Sequence, residues 1–414
     1  MRMHRTIVAL LLLTGACAPA SGSDPLVVGA VYPTAGSQGI GGIEEYRGVR
    51  LALERVNAEG GVDGRPIRLS LHPAETAEGA PLAVRAAVAD GAEVVLGSYG
   101  STISTKAAKV ASDLDIVFWE TGAVGEIEDG VRAGDRFFRL VSMGSSLGDE
   151  GVRFLDEQLL PMMGEDPRAL RWGVLYVDDV YGRSVGLGAA DTIEEAGLEL
   201  AATFPYDVQT VDAERLVRRI GRAGVEVLVV SAYLQDGVEL RQEMVRQDLP
   251  LVASVGTSSS YCMREFGATL GEDAVGLFAS DKPDGEVLEV AELRPDAAEA
   301  LAWANREYER RWDMAMPAPA LSGFAGAWAL FHHVLPDAGS ASAEEIAEAA
   351  LAADLPVGSL PNGSGLRFAP AGDPLAGVNL RATSVIWEWV EAETREVVWP
   401  PDLATSPIVP IPIS

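Results

Sequence analysis

The chain has 414 residues, 48% of them hydrophobic, with 61 acidic against 32 basic side chains and a formal charge of −29. That apolar fraction excludes global disorder, and so acidic a surface repels phosphate backbones, which excludes nucleic acid as a partner. The length exceeds what one ordinary domain holds and suits two.

The N-terminus decides the compartment. Arg2, His4 and Arg5 precede a seven-residue apolar run at 7–13, and Thr14, Gly15 and Ala16 lead to Cys17. This is the layout of a secretory signal over 1–16, and the run is far below the ~20 residues a membrane-spanning helix needs. The string 13–17 resembles a bacterial lipobox, which implies that Cys17 is acylated and anchors an extracytoplasmic protein to the membrane. Small residues at 17–24 suit a flexible tether. Cys262 is the remaining cysteine, so no disulfide framework is expected.

From residue 26 onward, short β-branched runs alternate with helical patterns, the signature of parallel sheets covered by helices. Residues 26–32 read as the first strand and 45–59 as a helix, with Val49, Ala52, Leu53 and Val56 on one face. Gly60-Gly61 ends it. Strands follow at 66–71, 92–97 and 116–120, with helices at 82–90 and 104–114, and right-handed crossovers make these one doubly wound lobe. A second series begins after 137–141. It has helices at 145–160, 182–196, 212–223 and 238–247, and strands at 172–177, 199–205, 225–231 and 251–255. Three successive helices come next, at 297–312, 322–335 and 343–353. A Gly/Pro-rich stretch at 360–377 separates them from strands at 383–390 and 396–399.

Gly36, Gly39, Gly41 and Gly42 follow the first strand, but Glu44 stands where a dinucleotide fingerprint needs its third glycine. The segment reads instead as an open, mobile loop at the strand's C-terminal end, where such sheets bind ligands. His4, His72, His332 and His333 offer no metal-ligand spacing. No nucleophile elbow or Cys-His arrangement is present, so no cofactor, metal or enzymatic activity is expected. The segment 97–104, Gly-Ser-Tyr-Gly-Ser-Thr-Ile-Ser, joins a strand to a helix. It supplies hydroxyls and unpaired backbone N–H groups at a helix N-terminus, a combination that holds a carboxylate or another polar oxygen. Thr121-Gly122-Ala123, after the next strand, leaves backbone groups reachable in the same way.

The segment 56–67, with Asn57, Gly60, Gly61 and Gly64 in an N-x-x-GG-x-x-G pattern, resembles the leucine/isoleucine/valine-binding proteins of the type I periplasmic binding fold. Residues 28–33, 97–102, 119–124 and 178–182 fall in the order that family shows. The resemblance implies an α/β fold of two Rossmann-like lobes with parallel sheets, joined by three crossovers near 141–146, 276–282 and 380–385. It places 25–143 plus 279–382 in lobe 1, and 144–278 plus 383–414 in lobe 2. It further implies a solute-binding lipoprotein that closes on a branched-chain amino acid or a related small polar ligand and delivers it to an ABC permease. A sensory input protein is the alternative from another class.

Carried over by position, Ser101 and Thr102 would hold a ligand carboxylate, and Gly122, Ala123 and Val124 would offer backbone groups. Tyr181 and Tyr233 would close over the ligand from the second lobe. Two departures stand out. Ser258 sits near the place of the acid that pairs with a ligand ammonium, and Gly41 replaces a tyrosine of the first loop. Either Asp236 or Glu120 substitutes for the missing acid and an amino acid binds, or the ligand is an amide, a urea-like compound or a carboxylic acid.

Overall fold

In the computed structural model, which describes residues 24–285, 288 and 293–413, the apolar runs pair into two sheets. Cys17 and residues 17–23 of the tether lie outside the described residues. The first sheet takes β1 (Leu26–Val31), β2 (Ile67–Leu71), β3 (Val94–Gly97), β4 (Val117–Glu120) and β5 (Phe137–Arg139). Their order is β2-β1-β3-β4-β5, with every pair parallel. β3 and β4 are buried at every residue. Strands covered on both faces read as unbroken apolar runs rather than alternations. Helices α1 (Gly39–Ala58), α2 (Ala80–Ala89) and α3 (Ser101–Asp113) connect the first four strands.

The second part of the chain repeats the plan. Helices α4 (Gly144–Phe154), α5 (Leu160–Met163), α6 (Val180–Glu195), α7 (Ala213–Arg222), α8 (Leu234–Arg246) and α9 (Arg264–Leu270) accompany β6 (Arg171–Val177), β7 (Glu199–Tyr206), β8 (Val227–Ser231), β9 (Ala253–Thr257) and β10 (Phe278–Asp281). Helices α10 (Pro295–Trp312), α11 (Ala318–Trp328) and α12 (Ala343–Ala352) return to the core of the first sheet. Strands β11 (Val385–Glu391) and β12 (Thr394–Trp399) then complete the second sheet, in the order β12-β11-β10-β9-β8-β6-β7. These last two join antiparallel to a parallel core.

This is an α/β architecture of two Rossmann-like lobes. The chain passes between them after Arg139, after Asp281 and after Asn379. The second passage falls at the very end of the expected 276–282, because Phe278–Asp281 is a strand of the second sheet and pairs with β9. Its four residues end in polar Ser280 and Asp281, and so short a run leaves little periodicity to read. The helices expected at 145–160 and 322–335 each contain a π-helical stretch, Leu155–Leu159 and Ala329–Val334.

The glycine-rich segment is not an open loop. α1 begins at Gly39, and Gly39, Gly41 and Gly42 are buried in its first turn. A Cβ on Gly42 would stand 2.2 Å from the Pro33 carbonyl oxygen. These glycines therefore serve close approach rather than mobility.

The same device seats α1 on α11, whose residues are all buried except Pro319. A Cβ on Gly48 would lie 1.8 Å from the Ala320 carbonyl oxygen, and one on Gly323 2.0 Å from that of Glu45. The two backbones touch. Gly323→Ala is expected to force them apart and to cost about 1–3 kcal/mol, the usual range for overpacking. Urea unfolding measures this, and an unchanged midpoint would show that α1 shifts freely.

Candidate functional site

The C-terminal ends of β3 and β4 in the first lobe face those of β6, β8, β9 and β10 in the second, the edge at which such sheets bind ligands. Between them lies a small cavity. It is lined by Tyr99, Gly100, Ser101, Gly122 and Val124 on one side, and by Tyr181, Tyr233, Ser258, Ser259 and Lys282 on the other. A second space, which shares Ser258, lies between α1, the start of α11 and Met263–Glu265.

Ser101 opens α3 after an extended Gly100, and no side chain caps the helix. Its hydroxyl accepts the Gly125 N–H at 3.0 Å. Other hydroxyls of the 97–104 segment are spent locally: Ser98 donates to the Gly100 carbonyl at 3.0 Å, and Ser104 donates to Glu120. Thr102 is half-buried and does not line the cavity. Gly122 and Val124 do line it, whereas the Ala123 N–H is committed to the Ser98 carbonyl and to Glu120 Oε1.

From the second lobe, the Tyr181 hydroxyl meets Thr257 Oγ1 at 2.9 Å. Burial pushes that phenol up to about 12. The Tyr233 hydroxyl donates to Asp179 Oδ2 at 2.5 Å and accepts from Gln38 Nε2 of the first lobe at 3.0 Å. The two tyrosine rings lie 5.5 Å apart. Tyr99 reaches back across the cleft and donates to Ser259 Oγ at 3.1 Å. Its ring fills the space beside Gly41, where a Cβ would stand 2.2 Å from Cζ. Tyr99 thus occupies the room that a side chain at 41 would take.

Neither proposed substitute acid lines the cavity. Asp236 accepts from the Tyr206 hydroxyl and from the Tyr233 N–H at 3.3 Å, holding the start of α8. Glu120 accepts from Ser104 and from the N–H groups of Gly122 and Ala123. Burial pushes Glu120 up to about 7, with Arg139 opposing the rise. Behind it, Glu45 accepts from Thr121 Oγ1 at 2.5 Å and is pushed up to about 8 by burial and then by Glu120.

One charged residue lining the cavity was missed in the sequence. Lys282, only 3% exposed, donates from Nζ to the Gly122 carbonyl at 3.1 Å across the lobes. The available signal was its rarity, since the chain has three lysines and otherwise uses arginine. No group of three metal ligands occurs among the described residues, and none of their helices is long and apolar enough to cross a membrane.

This cleft between two doubly wound lobes is the architecture of a periplasmic binding protein, and residues 25–378 match the model of that family. The chain belongs to the periplasmic binding protein family. It is 27% identical over 368 residues to the Leu/Ile/Val-binding protein homolog 8 of Brucella abortus, covering 88% of each chain. The branched-chain amino acid transporter substrate-binding protein LivJ of Streptococcus pneumoniae, solved with isoleucine, superposes with a TM-score of 0.70. That likeness is at 19% identity and covers 91% of this chain and all of the other. A solute-binding protein of an ABC transporter from R. palustris, solved with benzoate, has a TM-score of 0.70 at 14% identity. It covers 90% of this chain and 95% of that one.

The buried acids give the site a pH signature. Glu45 and Glu120 hold protons up to about 8 and about 7 in the folded chain, whereas an unfolded carboxyl releases its proton near 4.3. The folded state thus binds more protons between these limits, and stability falls as pH rises through them. The loss is absent below the unfolded value and complete above about 8. Glu45→Gln is expected to flatten the decline of Tm between pH 5 and 8. Equal slopes in both proteins, read by calorimetry, would contradict this.

Proposed function

We propose that this protein is the extracytoplasmic solute-binding component of an ABC importer, holding a small polar ligand between its lobes and anchored through acylated Cys17. The observation that carries the reading is that hydroxyl and backbone groups of both lobes converge on one cavity, where Tyr99 meets Ser259, while Gln38 of the first lobe bonds the cavity-lining Tyr233 of the second. Ser101, Gly122, Val124, Tyr181, Tyr233 and Ser258 are the proposed ligand contacts. Thr102 and Ala123 act behind them, and Asp236 holds Tyr233 in place.

Ligand that touches both walls makes most of its contacts in the closed form alone, so it shifts the hinge equilibrium toward closure. The closed shape is what a permease would recognise. Relatives of this fold that were solved with isoleucine and with benzoate support a small carboxylate-bearing ligand.

Leucine, valine or their des-amino acids should shrink the small-angle scattering radius, and no compaction with any of them would remove the reading. Tyr233→Phe deletes a bond between the lobes. It should weaken binding roughly five- to tenfold, as expected for a net loss of about 1 kcal/mol, in a variant that circular dichroism shows to be folded. Wild-type affinity in calorimetry would show that Tyr233 takes no part in closure. For the anchor, Cys17→Ser is expected to release the protein from the membrane fraction. Continued membrane retention would refute acylation at that residue.

A further inference from the structure

We propose that the second space beside the cavity is a further compartment of the ligand site, and that it takes a cationic nitrogen at the far end of a two-ended ligand. This deepens the reading of the interlobe cavity as the ligand site and rests on it.

Ser258 lines both spaces, so the two adjoin. Two carboxylates from opposite lobes border the second one, Asp281 at the end of β10 and Glu44 in α1. Asp281 is only 2% exposed. Its Oδ2 accepts from Cys262 Sγ at 2.8 Å, whereas Oδ1 is buried without a hydrogen-bond partner. Lys282 Nζ stands 3.7 Å from Oδ1, beyond bonding distance, and donates to the Gly122 carbonyl instead. Glu44 repeats the pattern. Its Oε1 accepts from Arg47 Nη1 at 2.5 Å, and its Oε2 is buried and unpartnered. Buried carboxylate oxygens without donors are costly, and native folds leave few of them so.

The rest of the lining favours a cation. The acidic side chains of Glu44, Glu265 and Asp281 stand against Arg264 and Arg395. Both guanidinium groups are turned to Asp284, which lies outside this lining, with Arg395 Nη2 at 2.7 Å and Arg264 Nη2 at 3.9 Å. Arg395 also donates to the Cys262 carbonyl and lies over the Trp387 ring. Ile40, Met263, Met314, Pro317 and Pro319 supply apolar wall for a methylene chain. A protonated amine carries three donors and no acceptor, which matches oxygens that can only accept. A methyl group in its place would leave those oxygens bare and cut off from water. Because Glu44 belongs to the first lobe and Asp281 to the second, the compartment is complete only when the lobes are together.

Calorimetry on matched pairs tests this: L-lysine with L-norleucine, 6-aminohexanoate with hexanoate, and 5-aminopentanoate with pentanoate. In the wild-type protein at least one amine-ended solute should bind tenfold or more tightly than its methyl-ended partner, as a charge-assisted bond predicts. Asp281→Asn should cut that preference below threefold, and Glu44→Gln, at a half-buried position, should reduce it at least threefold. Circular dichroism checks that both variants fold. Methyl-ended solutes that bind as well as their partners in every pair overturn the inference and leave the binding function intact. A preference that both variants keep in full also overturns it. Failure of every amine-ended solute to bind does the same, and compaction by leucine, valine or their des-amino acids then shows that the binding reading itself survives.

Discussion

The carbonyl of Gly122 is the point on which the two lobes are set against each other. On the first-lobe side its residue is fixed from two directions. Glu120 takes the Gly122 N–H at 2.9 Å, and a Cβ on Gly122 would lie 1.8 Å from Glu45 Oε2. Glu45 is itself held by Thr121, which is bonded in turn to the Tyr32 hydroxyl at 2.7 Å. Burying two carboxyls side by side is costly unless protons neutralise them, and their raised affinities show that the fold accepts that cost. In return the carbonyl is held at one place, where Lys282 of the second lobe can reach it.

Much of this architecture was legible from residue pattern. The alternation of buried strands and one-faced helices defined both lobes, because parallel strands covered on both faces must be apolar throughout. What escaped the pattern was set by tertiary contact. Gly39, Gly41 and Gly42 look like a flexible loop in sequence, yet all three lie in the first turn of α1, and at Gly41 and Gly42 another part of the chain comes too near for a side chain. β10 was lost because its four residues carry polar ends, and that shifted the second lobe boundary past Asp281. The antiparallel addition of β11 and β12 depends on which edge was left open, which no local periodicity records.

The site was legible in outline and misleading in its acids. Residues at strand ends, such as Ser101, Gly122, Tyr181, Tyr233 and Ser258, reach the cavity because topology alone takes them there. Whether a carboxylate serves the ligand or the fold depends on its neighbours. Asp236 is absorbed by Tyr206, and Glu120 by Ser104 and two backbone amides. The exchange between Gly41 and Tyr99 is likewise visible only in space. An aromatic missing from one loop is supplied by another, and the cavity keeps its wall.

The bonds that tie the lobes are mostly between neutral groups, and that choice has a mechanical consequence. Burial raises the phenols of Tyr99, Tyr181 and Tyr233, so all three remain protonated donors at neutral pH. A neutral hydrogen bond contributes only about 0.5–1.5 kcal/mol net, so Tyr99 with Ser259 and Gln38 with Tyr233 can part at small cost. A charge-assisted bond is roughly twice as strong, and Lys282 to Gly122 and Ser184 to Glu126, at 3.1 and 2.9 Å, are bonds of that kind. Parting the lobes therefore costs most at these two bonds, and the neutral pairs give way more easily.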